Sequence, residues 1–208
     1  VKRSWILCLV LVWGCGSADP ESVKQPTMSE LLAPPVMTAV DKPHADIFVP
    51  LDGMWEGRVR TYRHVKGQQP GARTLIGPAK LAQAPYELVN TADVRRIAVS
   101  DGPIFQRVET TERSPTGTVR ASGGQKVLNG KMWRVAKRPD RVVIEWGTKP
   151  AANVFQWVEY DDKGTQIARY DEVLTGDTLV IAGWALGPQD DPSKGPGHYL
   201  AGELRKRR

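Results

Sequence analysis

Between Ile104 and Leu186 the chain is broken at short intervals by tight-turn signals. They are Ser114-Pro115-Thr116-Gly117, Asn129-Gly130, Pro139-Asp140, Asp161-Asp162-Lys163-Gly164 and Gly176-Asp177. Asn-Gly favours the left-handed backbone of a two-residue hairpin, and Gly164 suits the closing position of a longer one. A parallel crossover needs about a dozen residues, and these links are shorter. Each segment must therefore pair antiparallel with the next, which predicts an up-and-down meander.

The segments between the turns carry strand residues. We expect strands over Ile104 to Arg113, Thr118 to Ser122, Gln125 to Leu128, Lys131 to Lys137, Arg141 to Gly147, Asn153 to Tyr160, Thr165 to Leu174 and Thr178 to Leu186. Upstream, Trp55 to His64, Thr74 to Gln83 and Arg95 to Ser100 read the same way, with Tyr86 to Ala98 open between helix and strand. A last strand, His198 to Leu204, would return beside the first. About eight to ten strands is the range in which one antiparallel sheet closes on itself and removes its edges. The fold class is thus all-β, an up-and-down antiparallel β-barrel.

The N-terminal part reads differently. Lys2-Arg3 precede an uncharged run from Trp5 to Trp13, followed by small residues, as in an export signal. The run is short of the roughly 20 apolar residues needed to span a bilayer. Its exit, Val12-Trp13-Gly14-Cys15, resembles the lipobox of bacterial lipoproteins, with Val12 and Gly14 at matching positions and Trp13 departing from the pattern. The resemblance implies cleavage before Cys15, diacylglycerol on its sulfur, acylation of its amine and retention in the cell envelope. Gly16 after the cysteine leans toward the outer membrane in a diderm host. Ordinary cleavage after Ala18, at Gly16-Ser17-Ala18, is the alternative. The division is 1–14 signal, 15–50 Pro-rich tether and 51–208 barrel domain, with a short capped turn at Thr27 to Leu32.

Cysteine and charge narrow the function. Cys8 leaves with the signal, so the mature chain has one thiol at most and no disulfide framework. Of the formal charge of +6, Lys2 and Arg3 go with the signal and Arg205-Lys206-Arg207-Arg208 accounts for the rest. No nucleic-acid recognition motif accompanies it. Gly53 to Arg141 is rich in basic residues and Val142 to Leu204 in acidic ones. A closed sheet would pair the two halves, and a basic face toward anionic headgroups is the alternative.

Leu51-Asp52-Gly53-Met54-Trp55 resembles the Gly-x-Trp signature that opens the first strand of lipocalins and related calycin barrels. The resemblance implies that Trp55 plugs one barrel end, with Arg205, or else Arg169, stacked over it. Gly53-x-Trp55-x-Gly57 is also similar to the spacing in small haem-binding barrels of the nitrobindin type, for which His198 is the one candidate proximal ligand. The histidines are scattered and no metal spacing occurs. No Gly-x-Ser-x-Gly elbow or paired nucleophile and base is present. The closest carboxylate constellation is Asp171-Glu172 with Glu159 opposite on the paired strand, and because Asp171 and Glu172 fall on opposite strand faces they cannot act as one dyad. No catalytic residue or cofactor is assigned.

Five tryptophans remain after the signal. Trp133, Trp146, Trp157 and Trp184 are the candidate walls of an apolar pocket in the barrel. The function expected is an envelope-anchored barrel that binds a small apolar or amphipathic molecule. A structural lipoprotein contacting another envelope protein is the alternative.

Overall fold

The computed structural model describes residues 25–65, 73, 75–187 and 190–207. The leader and Cys15 lie outside the described residues. Ten strands form one closed antiparallel barrel: β1 Gly53–His64, β2 Tyr86–Ser100, β3 Phe105–Ser114, β4 Gly117–Leu128, β5 Lys131–Lys137, β6 Val142–Ala151, β7 Val154–Tyr160, β8 Gln166–Thr175, β9 Thr178–Ala185 and β10 His198–Arg207. Each pairs with its neighbours in the chain, and β1 seals against β10 from Met54↔Arg207 to Arg63↔His198. The predicted reversals carry it. Asn129 and Gly130 have φ of 54° and 71°, and Gly164 and Gly176 have 77° and 57°.

Three expectations change. Of the strand expected over Thr74 to Gln83, the described residues 75–83 are not a strand, because Pro78–Leu81 forms a short helix, α2. Pro78 stands in its first turn, where a missing N–H is harmless, whereas in a ladder it removes a donor. Tyr86 to Ala98, left open, lies wholly within β2. Thr118 to Ser122 and Gln125 to Leu128 are one strand, β4, running through Gly123-Gly124. Those glycines serve close approach, since a Cβ on Gly123 would overlap the Val135 carbonyl and one on Gly124 would strike Phe105.

One barrel end is stopped by the chain that precedes β1. Residues 41–52 run beneath it through two 3-10 turns, Lys42–His44 and Val49–Leu51. Phe48 and Leu51 enter the core beside Trp55, Val94, Ile104, Val127, Met132, Phe155, Trp157, Leu179 and Leu204. Asp41, 1% exposed, ties this strap to the β4–β5 turn by accepting from the Gly130 N–H at 2.7 Å and the Thr38 hydroxyl at 2.6 Å. Burial pushes Asp41 up, but these bonds outweigh it and hold the carboxyl below its ordinary value.

Before the strap, helix α1 (Met28–Leu32) begins with the predicted capping box between Thr27 and Glu30. Its Leu31 packs on Trp133 and Val135, on the outer face of the barrel. Lys126 Nζ donates to the carbonyls of Glu30 and Ala33 at 2.8 and 3.0 Å. The Pro-rich stretch expected to be a tether as far as residue 50 is therefore part of the fold from Pro26, which is buried. Helix α2 covers a second outer patch, with Leu81 against Tyr62, Trp184, Tyr199 and Ala201. Among the described residues no helix is long and apolar enough to cross a membrane.

Candidate functional site

Strand alternation turns every second residue of each strand into the barrel, and above the stopped end these side chains leave a cavity of about 380 Å³. Its apolar wall includes Val59, Ala92, Val94, Val143, Ile181 and Leu204. Thr61, Asn90, Glu112, Arg138 and Arg141 stand at a partly exposed rim, so the cavity reaches solvent. The lining also holds four arginines, Arg96, Arg134, Arg138 and Arg141, and four glutamates, Glu112, Glu145, Glu159 and Glu172. It contains no Lys, Asp or His, so these charges balance.

The deepest charges form one network. Glu172 Oε1 accepts from Arg96 Nη1 at 3.0 Å and from Arg134 Nη1 at 2.7 Å. Its other oxygen accepts from the Trp157 indole N–H at 3.3 Å. Arg134 also makes a bidentate pair with Glu145, its guanidinium lying 4.7 Å from the Trp157 ring centroid. Phe48 stacks below that ring at 6.5 Å. Trp157 is thus the floor between the plug and the charged layer.

Burial pushes Glu172 up, but Arg96 and Arg134 outweigh it and hold its carboxyl below the usual value. Burial also pushes Arg134 down, and Glu145 and Glu172 more than reverse this. Glu159 goes the other way: desolvation raises it, and its partner Arg141, at 3.1 Å, offsets only part. Burial raises the Tyr170 hydroxyl too, reinforced by Glu145 and Glu159. The network leaves one guanidinium incomplete. Arg96 is 5% exposed, and its Nε and Nη2 have no hydrogen-bond partner among the described residues. A buried donor in that state costs free energy unless something completes it.

The four tryptophans expected to share one wall are dispersed. Trp157 alone faces inward. Trp133 and Trp146 are cross-strand partners on the outer face, packed with α1. Trp184 is on the outer face under α2. Outward patches that helices cover are as apolar as a lumen, so aromatic content could not separate them.

Trp55 is fully buried at the plugged end, with its indole N–H donating to the Leu51 carbonyl at 2.8 Å. The cation over its ring is Lys206, whose Nζ is 5.4 Å from the centroid. Arg205 is not that residue, because alternation turns it outward, where it pairs with Glu203. Arg169 pairs with Asp171. His198 pairs with Asp190 at 3.6 Å beside Gly187 and is absent from the cavity lining. Among the described residues no cluster of three or more His, Cys, Asp or Glu could hold a metal ion. Asp171 and Glu172 do part to opposite faces: Asp171 accepts from Gln156 and Arg169, while Glu172 lies in the lumen.

The arginines and the inward glutamates were missed as a group. Their signal was present as charged residues at every second position of otherwise apolar strands, such as Glu145 after Val143 and Glu159 after Phe155 and Trp157. The segregation of basic and acidic residues between the two halves is met partly here, where Arg96, Arg134 and Arg141 of the first half pair with Glu172, Glu145 and Glu159 of the second.

A closed antiparallel barrel, plugged at one end and lined by balanced charges, is the class of protein that the fold and its lumen define. No protein-family model matches the chain, and no curated protein matches it. Among solved structures it is similar to Rv2717c from M. tuberculosis, described by its crystal structure. The two share 14% identity over 83% of this chain and all of that one, with a TM-score of 0.52. At that identity the likeness speaks to the fold, and it agrees with the closed barrel.

Proposed function

We propose that this barrel is a carrier or sensor that holds a small amphipathic molecule in its lumen, with the polar end of the molecule at Arg96. One observation carries the reading: a buried guanidinium among the residues lining a solvent-reaching cavity, whose Nε and Nη2 are shielded from solvent and find no partner among the described residues. Burying charge is expensive, and an apolar core of the same volume is often the more stable solution. Eight charged side chains in one lumen are therefore poor economy for stability alone. Convergent polar groups in an otherwise apolar cleft are how small-molecule sites obtain orientation.

The reading is tested by titrating the protein with acyl-chain ligands while following tryptophan emission. Trp157, in contact with the charged layer, reports the lumen. Arg96→Met keeps the apolar stem of the side chain and removes its donors, so affinity should fall roughly 10-fold to 100-fold, the worth of a hydrogen bond from a charged donor. Equal affinity for parent and variant, or no response to any ligand of the panel, would reject the reading.

The lipobox-like Val12-Trp13-Gly14-Cys15 supports an envelope location with Cys15 as the acylated residue. Labelled palmitate fed to cells should enter the parent chain and not Cys15→Ser. Equal labelling of both would remove the anchor and leave the barrel reading untouched.

A further inference from the structure

We infer that the lumen selects an uncharged hydrogen-bond acceptor, the carbonyl of an ester or amide at the head of an acyl chain, over the corresponding free carboxylate. The inference rests on the ligand reading above and goes further by naming the chemistry of the head.

It follows from counting charge around the incomplete guanidinium. Arg96 and Arg134 are matched by Glu145 and Glu172 within hydrogen-bonding distance. Nearer the rim, Arg141 is matched by Glu159 and Arg138 by Glu112, each at 3.1 Å. No cation in the lining is left over. A carboxylate entering this lumen would bring a negative charge with no counter-ion and would stand close to Glu172. Like charges in a poorly solvated site repel strongly. A neutral carbonyl can accept from the same two nitrogens without disturbing the balance. The Nε and Nη2 donors lie on one edge of the guanidinium, from which a carbonyl oxygen or a carboxylate could accept, so charge balance and not shape makes the choice. Wall residues such as Val59, Val94, Ile181 and Leu204 then receive the chain.

The geometry also says how the preference could be inverted. Glu172→Gln removes one negative charge while keeping the shape, so Arg96 and Arg134 together acquire an excess positive charge. That variant should accept the acid that the parent refuses. It supplies a gain of binding, which a merely unfolded variant cannot give.

The experiment is isothermal titration of the full-length protein at neutral pH with two probes of equal chain length, monodecanoylglycerol and decanoate, each below its critical micelle concentration. The ester is expected to bind at least roughly tenfold more tightly to the parent, and the ratio is expected to fall or reverse in Glu172→Gln. Decanoate binding the parent as tightly as the ester would overturn the inference while leaving the ligand reading in place. A Glu172→Gln variant that remains folded by circular dichroism and keeps the parental ratio would overturn it as well. Binding of neither probe to the parent would overturn both.

Discussion

Glu172 is the residue on which most of the interior depends, since it joins Arg96, Arg134 and Trp157. Replacing it by Gln leaves Arg96 with no carboxylate, and breaking a buried pair in this way costs about 3 kcal/mol or more. Because its folded-state pKa lies below the ordinary 4.5, the stability it contributes is complete above that pH and is lost as pH falls through the folded value. Urea midpoints of parent and Glu172→Gln should therefore differ most near pH 7 and converge in acid. Glu159 has the opposite sign. Its raised pKa means that ionisation opposes folding, so Glu159→Gln should have the higher midpoint at neutral pH and lose that advantage below about pH 4.5. A constant difference at all pH values would contradict either assignment. That these charges face inward was not readable from residue type. Val142, Ile144 and Trp146 form the more apolar of the two faces of β6, yet they point outward, while Val143 and Glu145 point in. Period-two alternation gives two faces and does not say which is inside.

At the scale of elements, the misreading has a single cause. Helix α1 covers Trp133 and Val135, and α2 covers Tyr62, Trp184 and Tyr199, so two outward patches are as apolar as a core. Leu31→Ala removes the side chain that seats α1 and should cost about 2–4 kcal/mol, seen as faster hydrogen exchange in α1 and along the outer side of β5. Uniform exchange along both would show that α1 is not held by that contact. Hairpins were legible because their turn chemistry is local: Asn129-Gly130 and Gly164 adopt the positive φ that the sequence predicts. The Thr27 and Glu30 capping box was legible for the same reason. The strap over residues 41–52 was not, because Phe48 and Leu51 reach partners far away in sequence. The seam between β1 and β10 makes its own prediction. A Cβ on Gly57 would overlap the Glu203 carbonyl, so Gly57→Ala should open this seam before any other pair and lower the thermal midpoint. A variant with an unchanged midpoint would mean that the two strands can part at no cost.

For the whole molecule, barrel closure and the internal site have one origin. Ten neighbouring strands curl until β1 meets β10, and the strap closes the end where Trp55, Phe48 and Trp157 meet. What remains above them is a charged chamber with an apolar wall, and its most telling feature is the unanswered side of Arg96. The most direct test is the nitrogen–proton resonance of the Arg96 side-chain Nε in nitrogen-15-labelled protein, assigned by its absence from Arg96→Met and followed as monodecanoylglycerol is added. The account predicts a large, saturable shift of this signal in step with the binding isotherm and smaller shifts at Arg134. Saturable binding that leaves the Arg96 signal where it was would contradict it.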